Sequence, residues 1–331
     1  MMNDRIINAE SESDDELVLF DRSLRPKLFK DVIGRKREVD NLKILIDAAK
    51  MRNEPIDHVL LHGPPGLGKT SLAYVIANEA NVPIYTTSGP AIERKADLAA
   101  ILSNLEDKAI LFIDEIHRLN RSLEEILYSA MEDSTIDIVI GKGPSARTLK
   151  LELNKFSLIG ATTRVGMLSS PLRDRFGVDM HLDYYGYEDL ASLIRQKAKI
   201  LDIVIDEKAS EEIAKRSRRT PRIAQRLLKR VRDYAQSNSS SNIDVNSVKE
   251  TLNMLGIDNF GLDSLDKKIL QVMVKNFKGG PVGINTIAAS LSEDRDTIEN
   301  VYEPFLLKEG FIMRTARGRV VTEKVYEILD L

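Results

Sequence analysis

Cysteine is absent from this chain of 331 residues. That excludes a disulfide framework, a cysteine zinc site and a thiol nucleophile, and it favours a cytoplasmic setting. Long apolar runs are missing too, so no segment is a candidate membrane span. No N-terminal apolar segment resembles a signal peptide. The stretch Ala9-Glu10-Ser11-Glu12-Ser13-Asp14-Asp15-Glu16 is acidic instead, and reads as part of a mobile arm over about 1–19. Histidine is scarce: His58, His62, His117 and His181 show no metal-ligand spacing and are expected to be structural. A strong overall charge is lacking as well. The formal net charge of −3 does not advertise a nucleic-acid binder, but local patches, not the total, set the field that a phosphate backbone meets. Residues 186–255 carry fourteen Lys or Arg against ten Asp or Glu, and 311–320 carry three arginines and no acid.

What is present is more specific. Gly63-Pro64-Pro65-Gly66-Leu67-Gly68-Lys69-Thr70 fits the phosphate-binding P-loop pattern. The apolar Val59-Leu60-Leu61 before it reads as a buried strand, and Ser71 to Ala80 after it is helix-prone. Glycines such as Gly66 let the backbone wrap close to a phosphate, and the N–H groups of the loop and of the helix start, through Ser71, point at the anion. Lys69 can reach the β- and γ-phosphates, and the Thr70 hydroxyl can ligate magnesium. A second motif, Ala109-Ile110-Leu111-Phe112-Ile113-Asp114-Glu115, is an apolar run ending in two acids. Such a run suits a strand covered on both faces, with Asp114 at the carboxyl end where open α/β sheets bind ligands. Asp114 can hold magnesium through water, and Glu115 can polarise the attacking water. Adjacent carboxylates downstream of a P-loop point to ATP hydrolysis, not binding alone.

Three segments follow one another along the chain. From about 20 to 185, candidate strands at 58–62, 82–87, 109–114 and 156–162 alternate with helical stretches, which predicts a parallel α/β sheet. Residues 186–236 show helical periodicity and few strand signals, so 186–255 is expected to be a small helical lid, with a polar loop from Gln236 to Asn242 between its helices. From 256 to 331, helices at Leu265–Phe277, Ile284–Leu291 and Arg295–Lys308 precede two short β runs around Ala316-Arg317-Gly318. That order predicts a winged helix-turn-helix. The boundaries expected are therefore 1–185, 186–255 and 256–331.

The chain resembles a known family at these motifs and at several others. They include Leu24-Arg25-Pro26, Ser88-Gly89-Pro90-Ala91-Ile92-Glu93, Asp114-Glu115-Ile116-His117-Arg118 and Gly160-Ala161-Thr162-Thr163-Arg164. Ser170-Pro171-Leu172-Arg173-Asp174-Arg175-Phe176-Gly177, Arg219-Thr220-Pro221-Arg222, Gly279-Gly280-Pro281-Val282-Gly283, Val301-Tyr302-Glu303-Pro304 and the stretch Gly310-Phe311 to Arg319, with its Thr315-Ala316-Arg317-Gly318-Arg319 turn, complete the ordered set. Together they look like the bacterial Holliday-junction branch-migration motors, a family of AAA+ ATPases, over roughly 20–331. The resemblance implies roles that local chemistry alone leaves open. Thr163 would be sensor I, near the γ-phosphate. Arg175 would be the arginine finger inserted into a neighbouring subunit's ATP site, with Arg173 a candidate helper. Arg222 would be sensor II, reaching the nucleotide of its own chain. Leu24, Arg25 and Tyr185 would line the adenine site, and Glu132, Asp133 and Ser134 would lie close to the nucleotide. The family usually carries an aromatic where Ser134 stands, which leaves that third contact open. The hairpin expected over 135–153 would dock on RuvA, the junction-binding protein, and RuvC resolvase would be a further partner. Arg314 and Arg319 would contact DNA.

The function so implied is an ATP- and magnesium-dependent DNA translocase, a homohexameric ring on duplex DNA that drives branch migration of four-way junctions in recombination and repair. Three alternatives stand beside it. A clamp-loader-like AAA+ protein would end in a helical collar, not a winged unit. A protein unfoldase would carry an aromatic-hydrophobic-glycine pore loop, and none occurs at the expected place. A transcription regulator with an ATPase would bind a specific promoter.

Overall fold

The computed structural model describes residues 24–140, 147–238 and 242–329. The acidic arm expected over 1–19 and the turn Gly141-Lys142-Gly143-Pro144 lie outside them. The chain divides into two compact units, one ending at Asp183 and the other beginning at Tyr184.

The strands of the first unit are β1 (Val59–His62), β2 (Ile84–Ser88), β3 (Ile110–Asp114), β4 (Thr135–Ile140), β5 (Arg147–Glu152), β6 (Ser157–Thr162) and β7 (Val178–His181). Five of them form one parallel sheet in the order β2-β3-β6-β1-β7. Helices Lys69–Ala80 and Lys95–Ser103 fill the first two crossovers, as parallel pairing requires. The central strands are apolar throughout because both faces are covered: Leu60, Leu111, Ile113 and Leu158 are fully buried. Phe112 is 1% exposed, and truncating it to alanine would cost roughly 3–5 kcal/mol. Four of the five strands were expected. The fifth, β7, pairs with β1 at Val59↔Val178 through His62↔His181. Its Val-Asp-Met-His sequence gives no apolar run, since it is a short sheet-edge strand with Asp179 and His181 exposed. The expected hairpin forms from β4 and β5, in register from Thr135↔Glu152 to Ile140↔Arg147.

The second unit begins with helices Tyr187–Ile200, Glu207–Lys215, Pro221–Ser237 and Val245–Met254. The helix from Pro221 to Ser237 is strongly amphipathic and buries Ala224, Leu227, Leu228, Val231 and Ala235. A two-residue parallel pairing of β8 (Val204–Ile205) with β9 (Asn242–Ile243), which helical periodicity does not announce, ties two of the connections. After these come helices Ser264–Phe277 and Ile284–Leu291. The stretch expected as one helix over Arg295–Lys308 is interrupted by a π-helical turn at Ile298–Tyr302. Pro304 has no N–H to donate back to residue 300, and a wider turn accommodates that break in the ladder. A hairpin of β10 (Ile312–Thr315) and β11 (Gly318–Val321) closes the winged helix. Val282 adds a bridge to Arg319 on the outer edge. Gly318 has φ +138°, and a Cβ there would stand 2.6 Å from the Val282 carbonyl oxygen, so the wing turn requires glycine.

Within this unit Arg218 joins the helical part to the winged part. One of its Nη atoms lies 2.5 Å from both Asp263 and Asp266, and its guanidinium covers the rings of Tyr302 and Phe305 at 5.4 and 5.3 Å.

Candidate nucleotide and nucleic-acid sites

The P-loop is built by three glycines in left-handed conformations, Gly63 (φ 138°), Gly66 (φ 78°) and Gly68 (φ 90°). At Gly63 the requirement is absolute: a Cβ would lie 2.2 Å from the Leu182 carbonyl oxygen. The Gly63 N–H donates to the Thr162 carbonyl at 3.2 Å, which fixes the loop against the end of β6. Lys69 opens the helix after the loop and is buried. Its Nζ donates to the carbonyls of Gly63 and Pro64 at 2.8 and 2.9 Å, so the ammonium is held over its own loop.

The ends of β1 and β3 meet at this loop. The Thr70 hydroxyl donates to Asp114 Oδ2 at 3.3 Å, and the other Asp114 oxygen accepts the Glu115 N–H at 2.9 Å. Glu115 has φ 47°, an uncommon conformation for a residue with a side chain, and it leaves the carboxylate half-exposed beside Arg118 at 3.6 Å. The three residues drawn from two separate motifs are therefore brought together. Thr163, one residue past β6, is exposed. Behind it lies a contact that motif reading does not reveal: the Thr162 hydroxyl faces His117 Nδ1 at 2.9 Å and accepts the Arg164 N–H at 2.9 Å. Burial lowers the His117 pKa, against the pull of Glu115. At the end of β1, His62 pairs with Asp179 at 2.9 Å and packs its ring against His181 at 5.0 Å; burial lowers its pKa as well.

Arg175 and Glu132 form a second cluster in the same unit. Nη2 of Arg175 bonds Glu132 Oε2 at 2.6 Å, Nη1 donates to the Pro171 carbonyl at 2.9 Å, and the guanidinium lies 5.0 Å from the Tyr128 ring. The Tyr128 hydroxyl shares a 2.6 Å hydrogen bond with Ser169. Tyr128 and Glu132 are four apart on helix Arg121–Asp133, hence on one face, and that spacing is the signal for Tyr128 that motif reading passed over. Arg173 and Asp133 are exposed, and Ser134 ends that helix at φ 52°. Leu24 is buried, and Arg25 lies 5.4 Å from the Tyr74 ring.

Tyr185 and Arg222 belong to the second unit. The Tyr185 N–H donates to the Arg219 carbonyl, and Arg219 Nε donates to the Tyr185 carbonyl at 3.0 Å. Arg218 and Arg219 both have positive φ, and Pro221 then starts the helix that carries the exposed Arg222 in its first turn. On the wing, Arg314 and Arg319 are cross-strand partners. Both grip Glu303, a residue of the Val301-Tyr302-Glu303-Pro304 motif to which sequence reading gave no role and which is only 1% exposed. Arg317 stands exposed at the turn.

A five-stranded parallel sheet with a P-loop after β1, paired acids after β3 and a helical segment following the sheet defines an AAA+ P-loop ATPase. Comparison with known families narrows the class. The family model for the Holliday junction DNA helicase RuvB P-loop domain matches residues 24–182. The RuvB AAA lid domain matches 185–258, and the RuvB C-terminal winged helix domain matches 259–330. The chain belongs to the RuvB family of Holliday-junction branch-migration motors. It is similar to the solved Thermotoga maritima RuvB Holliday junction branch migration motor at 49% identity and TM-score 0.85, over 93% of this chain and 98% of that one. A single-site variant of the Thermotoga protein matches at 50% identity and TM-score 0.86 with the same coverage. Nucleotide binding, ATP hydrolysis and DNA binding follow from membership, and the clamp-loader alternative is not favoured. Among the described residues no helix is long and apolar enough to cross a membrane.

Proposed function

We propose that this chain works as a homohexameric, magnesium-dependent motor whose ATP sites are completed between neighbouring copies. The observation that carries this is the placement of Arg175. Among the described residues its guanidinium contacts Glu132, Pro171 and Tyr128, none of them in the P-loop or at Asp114 and Glu115. A fixed cation outside its own phosphate site is available to a neighbour's, where it would stabilise charge developing in phosphoryl transfer.

Within one site, Lys69 would exchange its loop carbonyls for phosphate oxygens, and Glu115 would orient the attacking water. Thr163 would monitor the γ-phosphate from the end of β6, with the Thr162–His117 contact fixing that strand end. Arg222 would act as sensor II, while Leu24, Arg25 and Tyr185 would hold the base. Glu132 to Ser134, beside Arg175, would flank the nucleotide of the neighbouring copy. A magnesium ion fits the donors present: the Thr70 hydroxyl and Asp114 carboxylate are hard oxygens already 3.3 Å apart beside the loop. Those two residues would hold it, and it would neutralise phosphate charge.

The expected division at 1–185, 186–255 and 256–331 assigns catalysis, lid and DNA contact in turn. The β4–β5 hairpin would dock RuvA. RuvC resolvase and a cytoplasmic setting complete the picture. The test is ATP turnover per subunit against protein concentration, with and without duplex DNA. Sites shared between copies give a specific activity that rises with concentration and saturates earlier on DNA; a flat profile down to dilute monomer contradicts the shared site.

A further inference from the structure

The two wing arginines do not stand free. Arg314 donates from Nε and Nη2 to the two oxygens of Glu303, both at 2.9 Å. Arg319 does the same from across the hairpin, at 2.7 and 3.1 Å. One buried carboxylate thus accepts two bidentate guanidiniums. Glu299 reaches the same pair at 3.8 and 3.9 Å and is itself bonded by Arg295 at 3.2 Å. The π-helical turn at Ile298–Tyr302 lies immediately before Glu303, at the point where the chain presents both acids to the wing. Burial raises the Glu303 pKa, but the hydrogen bonds from Arg314 and Arg319 outweigh it and hold the carboxyl below its ordinary range. Arg314 remains half-exposed and Arg319 is mostly covered.

The geometry fixes which donors are engaged. Nε and Nη2 of each guanidinium face Glu303, while Nη1 of each, with two N–H groups, is not used on it. Two long side chains with large rotamer entropy are held side by side before any ligand arrives. Three cations against two acids still leave the cluster net positive.

We propose that Glu303 is the positioning residue of the wing: its buried carboxylate sets Arg314 and Arg319 as a fork whose remaining donors meet a DNA phosphate. The proposal rests on the wing as a DNA contact. Simple charge counting says that removing an acid beside DNA tightens binding. Loss of preorganisation says that it weakens binding, because the arginines must then be ordered at the moment of contact.

The experiment measures duplex affinity of the full chain for Glu303→Gln, for Arg314→Ala with Arg319→Ala, and for wild type, at matched salt. Glu303→Gln is expected to weaken binding about tenfold despite its lost negative charge, with DNA-free ATP turnover unchanged. Unchanged or tighter binding in Glu303→Gln, while the double arginine variant weakens, overturns the positioning role alone. Wild-type affinity in the double arginine variant overturns the wing contact and the proposal with it. A measurement on unaltered protein guards against a variant that fails to fold: arginine Nε–H resonances. Those of Arg314 and Arg319 should be as ordered as the backbone in DNA-free protein, and averaged, mobile signals overturn the proposal.

Discussion

Nη2 of Arg175 lies 2.6 Å from Oε2 of Glu132, and the same guanidinium rests on the Tyr128 ring at 5.0 Å. Family resemblance assigns both residues to nucleotide contact, and the structure joins them within one chain. The buried Nε of Arg175 has no hydrogen-bond partner among the described residues. A buried donor left in that state costs free energy, which the acid and the aromatic face holding the rest of the guanidinium offset.

Arg175→Ala is expected to keep ATP binding and lose most hydrolysis, by a factor on the order of a thousand. Glu132→Gln removes the charge that holds the Arg175 guanidinium but not the guanidinium itself, so its turnover should fall by a smaller factor, about tenfold. Steady-state ATPase at saturating ATP orders the two. A Glu132→Gln loss as deep as that of Arg175→Ala would assign Glu132 a direct role at the nucleotide.

Mixing Arg175→Ala with Lys69→Ala should restore part of the activity that each lacks, because each supplies the half-site missing from the other. Subunit exchange is confirmed first with labelled chains. A mixture as inactive as either variant contradicts completion of the site between copies.

Lys69 and Glu115 offer different chemistry, a cation and a carboxylate. Lys69→Ala should lose ATP affinity. Glu115→Gln should bind ATP and hardly hydrolyse it, since the amide keeps the side chain's size at that strained backbone position but cannot polarise water. Nucleotide binding and single-turnover hydrolysis measured side by side decide this; normal turnover in Glu115→Gln removes that carboxylate from the mechanism.

Asp266 carries the pH prediction. It is fully buried, and burial pushes its carboxyl up to about 7 despite the opposing pull of Arg218. A raised folded-state value means that the native protein holds the proton more tightly than the unfolded chain. Stability from this group is then complete below its unfolded value near 3.8 and is lost as pH rises through about 7. Glu303 and Glu212, with lowered values, lose their contribution only as pH falls, below this window. His58, His62 and His117 work in the opposite direction in the first unit, so the wild type is compared with Asp266→Asn. Between pH 5.5 and 8 the Tm of wild type should fall relative to the variant by about 3 °C or more. Parallel curves contradict the shifted carboxyl.

Much of this was legible in the sequence because the signals were local. The P-loop, the run ending at Asp114, the apolar β6 and the turn at Gly318 each carry their own pattern, and the sheet, the lid helices and the winged helix follow from them. The edge strand β7 was not legible, because an exposed edge needs no apolar run and Val178–His181 has none. The π-turn at Ile298–Tyr302 was hidden inside good helical periodicity, and only Pro304 hinted at it. The contacts made across sequence distance were least visible. Nothing near Glu303 announces that two arginines eleven and sixteen positions on will close over it. Nothing near Arg218 announces Asp263 and Asp266.

The most direct measurement of the central claim is dissociation of a synthetic four-way junction by the full chain, with ATP and magnesium, in the presence and absence of a junction-binding RuvA. The account predicts ATP-dependent conversion of the junction to duplex arms, stimulated by RuvA and abolished by Lys69→Ala. An intact junction under all these conditions, with ATP still consumed, would contradict it.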